Sequence, residues 1–153
     1  MLKRSEDGFS LALPGAVTCE PHEETRTNSG TLVGGSCSAE YSGRGISPLY
    51  GSRFGVSWDQ LSGELETMSV NEVTKILLSR AFTGEQPQSS RPVVLDGVAA
   101  VEYEWRTEPT TAQAQELPPD VRGTIRRRFA VRDGRLYDIW VMGVLDAAQE
   151  RAW

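Results

Sequence analysis

Lysine is almost missing from this chain. Of its 16 basic residues only Lys3 and Lys75 are lysine, and 14 are arginine. Arginine's planar fork suits bidentate pairing and stacking, although a GC-rich genome produces the same bias and is the favoured explanation. Histidine is scarcer still. His22 is the only one, so any histidine chemistry falls on a single position. Two cysteines, Cys19 and Cys37, are too few for a multi-bridge disulfide scaffold. No apolar run is long enough to span a bilayer, and neither a Gly-X-Y period nor sustained heptads occur, which excludes membrane-spanning, collagen-like and coiled-coil classes. Basic residues are outnumbered by 21 acidic ones, for a net charge of −5. That balance argues against a general nucleic-acid binder.

What is present fits one ordinary domain over residues 1–153. A chain of this length buries roughly 68–70% of its unfolded surface, enough for a core without metal. The start Met1-Leu2-Lys3-Arg4 imitates a basic leader, but Glu6 and Asp7 follow and Pro14-Gly15 cuts the apolar stretch. No export signal is legible, and a cytoplasmic location is expected unless the chain is an excerpt of an exported protein.

Periodicity and turn chemistry mark the elements. Phe9 to Leu13 reads as a first short strand. Residues 18–27 and 31–40 read as hairpin arms turning at Asn28-Ser29-Gly30, which sets Cys19 against residue 39 or 40. The cysteines are then either free and buried or joined across a bulge. Phe54, Val56 and Trp58 alternate along a strand over 52–61. Ser69 and Glu72 form a capping box ahead of a helix over 70–82, with Val70, Val73, Leu77 and Ala81 in one stripe and Gly84 as its stop. Asp96-Gly97 turns a hairpin that places Val101, Tyr103 and Trp105 on one face and Glu102, Glu104 and Arg106 on the other. The turn at Asp133-Gly134 pairs Val131 with Leu136, Phe129 with Asp138, Arg127 with Trp140 and Ile125 with Met142. A long loop over 107–122 and a closing helix from Asp146 to Trp153 complete the reading. Hairpin-joined strands favour an antiparallel sheet with helices packed on it, an α+β domain.

Three stretches resemble a known superfamily. They are Asp7-Gly8-Phe9-Ser10-Leu11 with Leu13-Pro14-Gly15, the run from Leu95 to Tyr103, and the run from Gly134 to Gly143. They are similar to the superfamily of the PsbP subunit of photosystem II and the yeast Ran-release factor. The resemblance implies an α/β/α sandwich and an accessory or adaptor role with a protein partner. Such domains usually follow the closing helix with a short strand, so a domain lacking its final C-terminal strand is expected.

Candidate chemistry is thin. Cys19-x2-His22 with Cys37 is half of a zinc motif, where four ligands are needed, so no metal is assigned. A Cys–His or Ser–His hydrolase would have to use His22 with Ser29, Ser36 or Ser38, and no nucleophile elbow surrounds any of them. Glu102 with Glu104 and Glu64 with Glu66 read as solvated carboxylates rather than a glycosidase pair. Gly34-Gly35 lacks the Lys and helix start of a phosphate loop. Arg126, Arg127 and Arg128, with Arg132 and Arg135, form the strongest charge cluster. It reads either as an anion or acidic-partner patch, or, preferably, as a split run. In the split reading Arg127 stacks on Trp140, while Glu102 and Glu104 pair with the other two arginines across strands. No catalytic, cofactor-binding or metal residues are assigned. The expected function is a non-enzymatic binding or interaction domain with a protein partner, no nucleic acid and no membrane span. Its surface is expected on a sheet face near the long loop. The alternative is a small-molecule-binding or enzymatic domain with a pocket between sheet and helix.

Overall fold

A computed structural model describes residues 2–4, 9–11, 16–41, 52–81, 86–107 and 123–143. Strands β1 (Leu2–Arg4) and β2 (Phe9–Leu11) pair with each other in a small ladder of their own. The remaining strands are β3 (Val17–Pro21), β4 (Thr25–Thr27), β5 (Gly30–Tyr41), β6 (Ser52–Leu61), β7 (Ser89–Leu95), β8 (Val98–Thr107), β9 (Gly123–Arg132) and β10 (Arg135–Gly143). Among the described residues the one α-helix, α1 (Val70–Ala81), lies between β6 and β7. The large sheet runs β3-β5-β6-β10-β9-β8-β7, with β4 also on β5, and every ladder in it is antiparallel.

Turn chemistry sets the registers. Asp96 and Gly97 have φ 48 and 79, and Asp133 and Gly134 have φ 52 and 71. Two consecutive left-handed residues make the type I′ turn whose twist matches a hairpin, and Asp-Gly accommodates it with least strain. The consequent pairing of Val131 with Leu136, Phe129 with Asp138 and Arg127 with Trp140 follows the spacing read from the sequence. The first hairpin differs. Its turn is the two residues Asn28-Ser29, so Thr27 faces Gly30. Three residues, 22–24, then oppose two, 33–34. This bulge shifts the register by one and sets Cys19 directly against Cys37.

The chain leaves the middle of the sheet after β6, passes through a 3-10 helix (Gly63–Thr67) and α1, and enters at the far edge as β7. The meander β7-β8-β9-β10 then brings β10 back beside β6. The capping box forms: the Ser69 amide donates to Glu72 Oε2 at 2.8 Å, and the Glu72 amide donates to Ser69 Oγ at 3.4 Å. The Ser69 hydroxyl, donating to Glu72 Oε2 at 2.6 Å, and then the Ser69 amide hold the Glu72 carboxyl below the ordinary range. α1 lays Val73, with Val70, Ile76, Leu77 and Leu78, against a core of Leu32, Leu61, Leu65, Val101, Tyr103, Trp105, Phe129 and Leu136. Thr74 is buried there too, donating to the Val70 carbonyl at 2.7 Å and lying 3.3 Å from the Tyr103 hydroxyl. The other face holds a second buried group: Cys37, Val56 and Trp58 with Tyr137 and Ile139.

The α/β/α expectation is corrected. Strands make up 68% and helix 16% of the described residues, with one α-helix. The fold is dominated by its antiparallel sheet, because the chain spends its hydrogen bonds on hairpins. The expected strand over 9–13 is described only as β2, outside the large sheet. The loop over 107–122, the closing helix from 146, the Gly84 stop and residues 7, 8 and 13–15 of the resemblance lie outside the described residues, apart from Thr107 at the end of β8. No helix among the described residues is long and apolar enough to cross a membrane.

Candidate functional site

The sequence-predicted cysteine–histidine group comes apart. Cys19 and Cys37 form a disulfide across β3 and β5, with Cα atoms 4.1 Å apart, so their sulfurs serve structure. His22, in the bulge, projects to the opposite face, where its Nδ1 lies 3.5 Å from Asp59 Oδ1. Among the described residues no group of three His, Cys, Asp or Glu is placed to hold a metal.

The arginine run is split as alternation requires. On the face away from α1, Arg128 Nε donates to Glu102 at 2.6 Å and Arg126 Nε to Glu104 at 3.0 Å. Arg91 and Arg106 reach the same two carboxylates at 2.8 and 3.2 Å. Glu102 is buried within this lattice. Arg128 with Glu102, Arg126 with Glu104 and Arg91 with Glu102 are direct cross-strand pairs, the arrangement that stabilises a sheet, and an anion patch built on Arg126 and Arg128 is thereby corrected to a structural ladder. Glu102 and Glu104 are likewise placed in that ladder. Arg127 points the other way. Its Nε donates to both oxygens of Asp138, at 3.1 and 3.3 Å, and its guanidinium lies 4.9 Å from the Phe129 ring centroid. Phe129 thus takes the stacking place expected of Trp140, whose six-membered ring lies across Gly55 on β6.

Two sites emerge. The first is a polar strip on the α1 face, over the half of the sheet formed by β5, β6 and β10. Opposed positions Gly34 and Asp59, Ser36 and Ser57, Ser57 and Asp138, and Gly55 and Trp140 place these residues side by side. Burial pushes the Asp59 carboxyl above the ordinary carboxylate range, His22 pulls it back, and the nearby Asp138 charge raises it again. Burial also raises the fully enclosed Asp138, against the pull of Arg127 and His22. The His22 side chain is 34% exposed and that of Asp59 19%.

The second is a cavity of about 390 Å3 on the opposite face, beside the disulfide. Cys19, Pro21, Val33, Gly35, Trp58, Gln60 and Arg135 line it, together with the backbone of Glu20, whose side chain turns to the Ser36 face. The Trp58 ring lies close over Gly35, where a Cβ would come within 3.0 Å of Cζ2. Gln60 donates to the Gly134 carbonyl at 3.0 Å and accepts from Arg135 Nε at 3.1 Å, which fixes the charged wall. Val33 is 49% exposed at its edge.

Sequence reasoning missed both assemblies. A signal existed for one part: Asp138 sits in phase with Leu136 and Trp140, and Arg127 with Ile125 and Phe129, so the hairpin register made them diagonal neighbours. Nothing local marked Asp59 or the cavity. Compared with known proteins, the chain matches no family model, no curated protein and no solved structure.

Proposed function

We propose that this chain is a non-enzymatic binding domain and that the cavity beside the disulfide receives a side chain of its protein partner. The cavity itself carries the reading. It is preformed, its floor is an aromatic ring against glycine backbone, and its β3 wall is stapled to β5 by the disulfide. Concave sites with an apolar floor and a few fixed polar groups are where proteins bind ligands and anchor residues. The one charged side chain in its lining, the Arg135 guanidinium, is engaged with Gln60, which suits orientation of a ligand better than proton transfer. The disulfide adds a compartment to the proposal: such bonds persist where the environment is oxidising, so the domain is expected to act outside the reducing cytoplasm.

The test is a photo-crosslinking amino acid placed at Val33 and, as a control, at the strongly exposed Val94 of edge strand β7. One recurrent protein adduct from position 33 and none from position 94 supports the reading. Equal capture from both positions, or native mass spectrometry finding a small molecule held in the purified protein, refutes it.

A further inference from the structure

The polar strip on the α1 face is independent of the disulfide cavity, and its atoms are unusually uncommitted. Among the described residues, no hydrogen bond engages the Ser36, Ser38 and Ser57 hydroxyls, the Trp140 indole N–H or the His22 Nε2. Asp59 has one, the 3.5 Å contact with His22. Among the described residues no fully buried side-chain N or O lacks a hydrogen bond, so these atoms are at least partly accessible on half-buried side chains. They lie in register on β5, β6 and β10, hence about 4.8 Å apart from strand to strand. Beside them the half-buried Trp140 ring rests across Gly55.

We propose that this strip binds a short uncharged glycan, one ring seated against Trp140 and the next rings placing their hydroxyls on Ser57 and Ser36 and then on Asp59 and His22. Serine hydroxyls both donate and accept, a carboxylate only accepts, and imidazole does either. That mixture matches a ligand whose own groups are hydroxyls. From Gly55, under the Trp140 ring, to Asp59 is four residues of extended strand, about 13 Å or two to three pyranose units, and the electron-rich indole face attracts the weakly positive C–H face of a sugar ring. An anion is disfavoured because the Arg127 charge is taken up by Asp138, leaving the Asp59 carboxylate at the site.

The experiment is a titration of the 15N-labelled full chain with methyl glycosides of glucose, galactose, mannose and xylose and their short oligosaccharides. The readout is the Trp140 indole N–H resonance, assigned with Trp140→Phe, and the Ser36 and Ser57 amides. At least one sugar series is expected to move all three saturably, with millimolar or tighter affinity. The double variant S36A/S57A removes two hydroxyls without disturbing packing, and is expected to weaken binding roughly tenfold while the rest of the spectrum stays native. Absence of saturable shifts with every sugar overturns the proposal. So does unchanged affinity in the folded double variant, or a response to methylammonium or inorganic phosphate in place of sugars.

Discussion

Breaking the Cys19–Cys37 bridge is the most direct perturbation of this fold, because reduction changes no side-chain packing by substitution. The two residues are 18 apart in sequence. Closing a loop of that length restricts the unfolded chain by an entropy worth about 3 kcal/mol at room temperature. The folded state has little to offset that loss locally. β3 is an edge strand exposed along its length, interrupted from β4 by the bulge, so its attachment depends on its ladder to β5 and on the bridge. With a urea m-value of about 2 kcal/mol/M, reduction is expected to lower the unfolding midpoint by roughly 1.5 M. Urea titrations of oxidised and TCEP-treated protein, followed by tryptophan fluorescence, measure it. Hydrogen exchange adds location: amides of 17–21 should lose protection before those of β6 and β10. A midpoint shift equivalent to less than about 1 kcal/mol, or two free thiols in protein purified without reductant, would refute the reasoning.

Two further outcomes follow from the sheet itself. Replacing Arg127 with Met leaves Asp138 buried and unpaired, which is expected to cost about 3–5 kcal/mol at neutral pH. Burial already holds the folded Asp138 carboxyl above its unfolded value. The folded state therefore binds more protons in that window, and stability falls as pH rises through it. Removing Arg127 raises the folded value further, so the deficit should shrink toward about pH 4. Urea unfolding at the two pH values checks this, and a pH-independent deficit contradicts it. Gly34→Ala is expected to destabilise by about 1–3 kcal/mol or prevent folding, since its Cβ would collide with the Trp58 carbonyl of β6. A thermal melt equal to the parent's would show that β5 and β6 can separate at that point.

The hairpins were legible because their determinants are local. Asp-Gly turns at 96–97 and 133–134 need only the left-handed tolerance of two residues, and the registers of β7 with β8 and β9 with β10 follow by counting. The capping box at Ser69 and Glu72, the buried Val73, and the splitting of Arg126 and Arg128 from Arg127 are equally consequences of fixed periodicities.

Other features depend on neighbours far apart in sequence. The resemblance led to an α/β/α sandwich, but layer composition is settled by how strands and helices share one core, and here the sheet dominates. The Cys19–Cys37 pairing turns on a bulge at residues 22–24, whose one-residue shift no alternation pattern announces. Asp59 meets His22 only because β6 lies beside β5, and Asp138 gains its burial only because β10 returns to the middle of the sheet. Spacing along the chain dictates which face a side chain takes. Which strands become neighbours, and so which charges share a site, is decided by long-range pairing of surfaces that local sequence does not encode.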